Sequence, residues 1–282
     1  MTCLVTGATG NVGSLVTERL LDRGERPAVF VRDRKKAQRL FGDRVEIRVG
    51  DLADLSGALA GVRELFLLNS GPELEVHDRA AAFAAKAAGV RHVVKLSTLD
   101  VSTGIGTGPW HARGEEAVRE SGVTFTFLRS SAFMSNALSW AYAIKREGIL
   151  RTSTGHGKIA FIHPGDIADV AVKALSTRDH DGEALVITGP KALTYAEMAS
   201  QIGKAIGKTI HFEEISDDEA RSDFDDAYAD ALVDIWRAVR EGRLATVTDG
   251  VQCVLGREPV TFGQWVNENA EAFTRSHTTR GK

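Results

Sequence analysis

The sequence predicts an α/β fold built on a parallel sheet, and three observations carry that prediction. Short apolar runs alternate with amphipathic helical stretches across the first half of the chain. Each run is brief and bounded by turn residues, as strands buried on both faces of a parallel sheet are. The first run enters a glycine turn that opens directly onto a helix. Together they specify a Rossmann-type doubly wound parallel sheet, and the change of rhythm after it a small C-terminal α/β lobe.

The strands are expected at Thr2–Thr6, Pro27–Val31, Val45–Val49, Glu64–Leu68, His92–Leu96 and Thr124–Leu128. In the first helix, Val12, Val16 and Leu20 recur at helical spacing and give it an inward face. Leu55–Leu59 reads as a short helix. Val76–Ala88 and Ala112–Glu120 read as longer ones, each ending near a glycine, Gly89 and Gly122. Strand–helix–strand repetition implies right-handed crossovers. After Leu128 the rhythm changes. Ser130–Ile144 reads as a loop running into a helix, Ile159–Ile162 and Leu185–Ile187 as strands, and Ile167–Leu175 and Tyr195–Ala205 as helices. Asp217–Arg243 reads as one long helical stretch, Phe262–Phe273 as a final helix, and Thr274–Lys282 as a fraying tail. The expected division is a dinucleotide-binding core over 1–130, with returning elements from 159–190, and a smaller lobe over 131–282.

Composition narrows the function classes. The chain has 282 residues, 43% hydrophobic and 26% charged, with a formal net charge of −3. That balance gives no footprint for direct nucleic-acid binding or for an acidic membrane surface. Cys3 and Cys253 are too far apart for a CxxC metal site and too few for a disulfide framework, so no metal is expected. No signal peptide or membrane-length apolar run is read, so the expectation is a cytoplasmic protein, monomeric or homodimeric, acting on a small molecule.

The glycine turn reads Gly7-Ala-Thr9-Gly10-Asn11-Val12-Gly13 between strand and helix. A first glycine makes the tight turn, a second lets backbone approach a pyrophosphate, and a third lets helix pack on strand. The helix N-terminus then offers free N–H groups to phosphate. The second strand ends at Arg32, with Asp33, Arg34, Lys35 and Lys36 behind it. A guanidinium there suits the 2′-phosphate of NADPH, while Asp33 leaves NADH open. Asp51, followed by Leu52 after the third strand, is placed to accept from an adenine amino group or to cap the next turn. Asn69 and Ser70 end the fourth strand on the same side. Gly203–Thr209 resembles a phosphate loop, but Ile202 stands where its first glycine is required, so Gly207 reads as a helix stop.

With Val31-Arg-Asp, Lys36, Gly50-Asp-Leu52, Val93-Val-Lys-Leu-Ser97, Leu128-Arg-Ser-Ser-Ala-Phe-Met134 and Phe161-Ile-His-Pro-Gly-Asp-Ile-Ala168, the chain resembles the NmrA-like branch of the atypical short-chain dehydrogenases/reductases. The resemblance implies a Rossmann core with a small substrate lobe. It also implies either an NADPH-dependent quinone, ether or carbonyl reductase or a non-catalytic redox-sensing regulator. The chain departs from typical short-chain reductases in one respect. Their Tyr-x-x-x-Lys pair is replaced by His111-Ala-Arg-Gly-Glu115, and the three tyrosines lie at 142, 195 and 228. In the related ether and lignan reductases, the position of His111 is similar to that of a catalytic lysine.

The expected chemistry is hydride transfer from NADPH to a quinone or a conjugated or aromatic carbonyl compound. The alternatives are a regulator of the NmrA type and an ether or imine reductase. His111 is expected to orient or protonate the substrate oxygen, Ser97 or Thr98 to add a hydrogen bond, and Glu115, one turn on, to hold His111. Ser97 is also expected at the cofactor. Without a phenol acid, a quinone is the easier acceptor, because its reduction product is a stabilised anion. Thr103–Trp110, rich in glycine, is expected to form a mobile flap. Phe133, Met134, Asn136, Trp140, His163 and Trp236 are the candidate substrate contacts.

Overall fold

A computed structural model describes residues 2–222 and 226–274. The chain divides into two compact units. The first is 1–131, 164–187 and 249–258; the second is 132–163, 188–248 and 259–282.

The first unit carries a seven-stranded sheet. Its strands are β1 Cys3–Thr6, β2 Ala28–Val31, β3 Glu46–Val49, β4 Glu64–Leu67, β5 His92–Thr98, β6 Phe125–Ser130 and β7 Ala184–Ile187. Their order is β3-β2-β1-β4-β5-β6-β7, every pair parallel. The chain therefore reverses direction across the sheet between β1 and β4. That switch point is where open α/β sheets bind ligands, outside the carboxyl ends of their strands. β1, β2 and β4 are buried along their whole lengths, as two-sided strands must be. The edge strand β3 is partly exposed, and Arg48 on it donates to Glu46 at 2.9 Å and to the Ala60 carbonyl at 3.1 Å. A charged side chain tied to its own edge discourages pairing with a foreign strand.

The helices of this unit are α1 Asn11–Asp22, α2 Arg34–Phe41, α3 Leu74–Ala87, α4 Gly108–Glu120 and α5 Pro164–Ser176. Val12, Val16 and Leu20 of α1 are buried, 0–2% exposed, so the periodicity of that helix does define its packed face. Leu55–Leu59 is reduced to a 3-10 turn at Ser56–Ala58. α4 begins four residues earlier than the sequence suggests, with Pro109 in its first turn where a missing N–H costs nothing. His111 therefore lies inside the helix. Ile105 is 3% exposed, which anchors the middle of the glycine-rich segment expected to be a flap. The segment 249–258, which the expected division at residue 130 leaves in the other lobe, contains a helix, Gly250–Leu255. It is held by Arg257, which donates to Asp166 at 2.7 Å and to Asp169 at 2.6 Å; Asp169 also accepts from Arg19 of α1 at 2.7 Å.

The second unit has two small sheets. Ile149–Thr152 pairs in parallel with His211–Glu214, and Lys158–Ile159 pairs antiparallel with Leu193–Thr194. The first pair is absent from the sequence reading. The helix Tyr195–Ile206 opens on a Thr194–Glu197 capping box and closes on Gly207 at φ +68°, which identifies Gly207 as a helix stop. The long acidic stretch is helical at Asp217–Arg221 and Asp226–Arg240, and 223–225 lies outside the described residues. The final helix is α-helical only over Phe262–Asn269, then 3-10 to Phe273. Of the expected fraying tail, 275–282 lies outside the described residues.

Candidate active site

The glycine turn is shaped by backbone geometry. Gly7 has φ +61°, and a Cβ there would lie 2.8 Å from Leu68 Cδ2. A Cβ on Gly13 would lie 2.2 Å from the Gly7 carbonyl oxygen, so this third glycine sets how closely α1 packs on the turn. Gly10 differs. It is the N-cap of α1 in extended conformation, with φ −100° and ψ −177°, and its Cβ position meets only the Gly7 oxygen, at 3.3 Å. No side chain caps α1 and no acid occupies its first turn. The open N–H groups and the positive end of the helix dipole suit a diphosphate.

A crevice of about 320 Å³ lies along these strand ends. It is lined by Gly7, Ala8 and Thr9 from the turn, by Phe30, Val31 and Arg32 from β2, and by Gly50, Asp51 and Leu52 after β3. Leu68, Asn69 and Ser70 after β4, with Glu73 and His77, complete it. Seven of the residues expected at a cofactor thus share one wall: Gly7, Thr9, Arg32, Asp51, Leu52, Asn69 and Ser70. Gly10 contributes as the cap of α1. Asn11, Val12, Gly13 and Lys36 do not line the crevice. Val12 is 2% exposed and packs inward, and Lys36 is exposed on α2. Asp33, the residue that left NADH open, caps α2 by accepting the Lys36 N–H at 3.0 Å. Arg32 is the exposed side chain at the end of β2.

Neighbouring residues hold the wall in place. The Thr6 hydroxyl accepts the Leu68 N–H at 2.8 Å and donates to the Leu68 carbonyl at 3.0 Å, stitching β1 to the end of β4. Asn69 accepts the Ser70 N–H at 2.8 Å and donates to the Leu74 carbonyl at 3.3 Å. Asp51 accepts the Ala53 N–H at 3.0 Å, so one oxygen serves its turn. The Phe30 ring sits 2.5 Å from where a Gly50 Cβ would be, so glycine at 50 makes room for an aromatic wall. Thr6, Phe30, Glu73 and His77 were not singled out in the sequence. A hydroxyl ending an apolar strand was the available signal for Thr6.

A second cluster lies on the inner face of α4, over β5. Ser97 is buried and its hydroxyl donates to Glu115 at 2.7 Å. Glu115, fully buried, accepts two hydrogen bonds from Arg129 of β6, at 2.9 and 2.6 Å, and one from Arg119 at 3.1 Å. This corrects the expected role of Glu115, whose carboxylate is taken up by Ser97 and two guanidiniums and does not hold His111. The Thr98 hydroxyl donates to Asp100 at 3.2 Å and caps the following turn. Neither hydroxyl proton expected at the substrate oxygen is therefore free, although Ser97 keeps lone pairs to accept with.

His111 sits in the first turn of α4, its N–H bonded to the Thr107 carbonyl at 3.2 Å. Its Nδ1 is buried without a hydrogen-bond partner. Burial first, and the positive charge of Lys95 second, hold its imidazolium form well below the ordinary histidine range. The ring is thus neutral at pH 7, a hydrogen-bond donor rather than a strong acid.

Apart from Thr98, the candidate substrate contacts fall in the second unit. Trp140, half-buried, lies 5.2 Å from Tyr195 and 6.2 Å from Phe161, centroid to centroid, within an aromatic cluster. His163 faces Glu268 at 3.1 Å. Met134 is buried and lines a cavity of about 170 Å³ with Phe161, Leu193 and Phe262. Phe133 bridges to Ile162 in the backbone, Asn136 is exposed, and Trp236 is half-buried on its helix.

Comparison with known proteins agrees with this geometry. A family profile described as NAD(P)H-binding matches residues 7–178. The chain is 40% identical over 280 residues to a (4-alkanoyl-5-oxo-2,5-dihydrofuran-3-yl)methyl phosphate reductase of Streptomyces griseus, covering 96% of this chain and 98% of the relative. It is 36% identical to an NAD(P)H azoreductase of Xenophilus azovorans, with 96% and 98% covered. Among solved structures, the NADPH complex of an NADPH-dependent quinone oxidoreductase from Escherichia coli superposes with a TM-score of 0.86 at 28% identity. That match covers 95% of this chain and 99% of the other.

Proposed function

We propose a reaction for a chain that belongs to the NAD(P)H-binding family, in its NmrA-like, atypical short-chain branch, and is an NAD(P)H-dependent oxidoreductase: it reduces a quinone or a conjugated carbonyl compound at the expense of NADPH. When bound, the dinucleotide supplies a hydride. The chain's own residues supply the rest. The turn at Gly7–Gly10 and the open end of α1 receive the diphosphate. Arg32 receives the 2′-phosphate through paired N–H donors, with Asp33 committed to capping α2. Ser97, its proton given to Glu115, accepts a hydrogen bond from the nicotinamide end.

One observation carries the choice of acceptor. The place of the usual tyrosine is taken by a neutral histidine, and the nearby hydroxyl protons of Ser97 and Thr98 are already donated to carboxylates. A neutral imidazole donates a hydrogen bond but is a weak acid. It serves an anion whose charge is delocalised, such as a hydroquinone anion or an enolate, better than the localised alkoxide of a simple ketone. The names of the relatives, a quinone oxidoreductase and a reductase of an unsaturated oxo-dihydrofuran, support the same class. No described helix is long and apolar enough to cross a membrane. The reading is of a cytoplasmic enzyme, monomeric or dimeric, with a small-molecule substrate.

The test is NADPH oxidation over a panel of quinones, conjugated enones and simple ketones. Turnover is expected with the first two classes. His111→Ala is expected to lower kcat by about 10²-fold, the usual effect of removing one donor from a developing oxyanion, with NADPH affinity intact. Arg32→Ala is expected to weaken NADPH by roughly 10- to 100-fold, the worth of a charge-assisted contact, and to leave NADH unchanged. Near-normal turnover of His111→Ala at saturating NADPH overturns the role of His111. Tight NADPH binding with no turnover on any acceptor returns the choice to a dinucleotide-sensing regulator.

A further inference from the structure

Lys95 is an unusual residue for a central strand. It is 0% exposed in β5, and it pairs with Asp78 of α3, also 0% exposed, at 2.6 Å. Its ammonium also donates to the Leu96 carbonyl at 3.2 Å. Taking two charges out of water is costly, and an apolar pair would hold these elements together at least as well. The crevice at the strand ends does not use the pair.

The pair is built against the helix that carries His111. A Cβ on Gly114 would lie 2.3 Å from Asp78 Oδ2 and 2.7 Å from Leu74, so α4 lacks a side chain at 114 to make room for this carboxylate. Gly114 is three residues beyond His111 and therefore on the same helix face. The buried ring nitrogen of His111, Nδ1, has no hydrogen-bond partner, and the buried Asp78 Oδ1 has none either. Other charged groups on the surrounding elements are engaged elsewhere. Glu115 on α4 and Arg129 on β6 hold each other, and Asp100 before α4 accepts from Thr98. The charge that bears on His111 is that of Lys95.

We propose that Lys95, fixed by Asp78, is a positioning residue that sets the tautomer of His111, so that the buried Nδ1 carries the lone pair and Nε2 carries the proton offered to the substrate oxygen. The physical reason is electrostatic. An N–H dipole aimed toward a buried ammonium is repelled, whereas a lone pair is attracted, and in a low-dielectric interior neither effect is screened. The same positive charge opposes a second proton and adds to burial in favouring the neutral donor. The proposal deepens the reductase reading and rests on His111 facing the substrate.

The test reads the tautomer directly, by nitrogen-15 NMR of the histidine rings, with His111 assigned by its loss in His111→Ala. In the unaltered protein a neutral ring protonated at Nε2 is expected at pH 7. Lys95→Met alone leaves a buried carboxylate unpaired and endangers folding, so the informative variant is Lys95→Met with Asp78→Leu, which replaces the ion pair by apolar groups. In that variant His111 is expected to bind its second proton about tenfold more tightly or more. Its tautomer signals are expected to become mixed, and kcat to acquire a pH dependence in the acid range while KM for NADPH holds. A ring protonated at Nδ1 in the unaltered protein, directed at Asp78 Oδ1, overturns the proposal. So does a double variant with an unchanged tautomer and pH profile. The tautomer and the proton affinity of the ring are read by NMR without turnover, so failure of the reductase reading in the acceptor panel is seen separately from failure of this one.

Discussion

The glycine turn and the inner face of α4 are built by opposite means. At the turn, function is prepared by leaving side chains out. Gly7 clears the Leu68 side chain, Gly13 lets α1 approach the Gly7 carbonyl, and α1 keeps an uncapped N-terminus. On α4, polar side chains are brought in and buried. Ser97, Glu115 and Arg129 satisfy one another, and Lys95 and Asp78 pair against α4 at Gly114. The first design fixes a binding site by sterics, which tolerate no addition. The second fixes a chemical environment by charge, which tolerates no unmatched removal.

The sharpest way to break the comparison is to add one methyl group at each of two glycines. Gly13→Ala forces Cβ to within 2.2 Å of the Gly7 oxygen, so the turn itself must move. NADPH binding measured by calorimetry is expected to be lost, with stability lowered as overpacking dictates, by about 1–3 kcal/mol. Gly10→Ala meets only one atom, at 3.3 Å, in a backbone conformation open to alanine. Its melting temperature is expected to hold, while NADPH weakens by roughly 10- to 100-fold because the methyl stands where the diphosphate approaches. Full affinity in Gly10→Ala would remove the diphosphate from the turn.

The two regions were not equally legible. The turn works through spacing, so Gly7, Gly10 and Gly13 can be read directly, and Arg32, Asp51 and Asn69–Ser70 follow as the ends of apolar runs. Phe30 could not be read as part of the wall, because its contact with Gly50 crosses from one strand to the residue after another. On α4 the glycines before Pro109 mask the helix start, although proline is at home in a first turn. Of the partners of Glu115, Arg119 lies one helical turn on and was open to spacing, whereas Arg129 arrives from β6 and Ser97 from β5. Lys95 within Val-Val-Lys-Leu was a visible anomaly, a charge in an apolar strand. Its partner Asp78 required the packing of α3 on the sheet. The pairing of Ile149–Thr152 with His211–Glu214 joins strands far apart in sequence, and periodicity carries no sign of it.

The charge-built face is tested by removing one charge. Glu115→Gln leaves two guanidiniums and the Ser97 hydroxyl facing a neutral amide. Breaking a buried pair costs about 3–5 kcal/mol. Arg129 and Arg119 are 21% and 46% exposed, so water recovers part of that loss. The expectation is the low end, ~3 kcal/mol in chemical denaturation, and the double variant Glu115→Leu with Arg129→Met is expected to recover much of it. A single variant as stable as the unaltered protein would mean that the carboxylate contributes no net stability.

A smaller effect sharpens the same lesson at the opposite end of the sheet, where His92 of β5 and Glu64 of β4 are buried together. The Thr126 hydroxyl donates to the His180 carbonyl at 2.8 Å, so it must accept from His92 Nε2 at 2.9 Å. His92 Nδ1 then presents a lone pair to Glu64 Oε2, 3.8 Å away. Burial pushes Glu64 up to about 7 and His92 down to about 4. A raised carboxyl makes the folded state bind the extra proton, so its contribution to stability is present at low pH and lost as pH climbs toward 7. A lowered histidine makes the unfolded state bind the extra proton, so its contribution is lost as pH falls toward 4. Between their ordinary values, 4.5 and 6.5, each state holds one proton on the pair, and the two slopes cancel. Glu64→Gln is expected to unmask a stability that rises with pH across this window, and His92→Gln one that falls. Urea denaturation at several pH values reads both signs. Parallel curves for the two variants would show that the residues do not titrate as the burial of this pair requires.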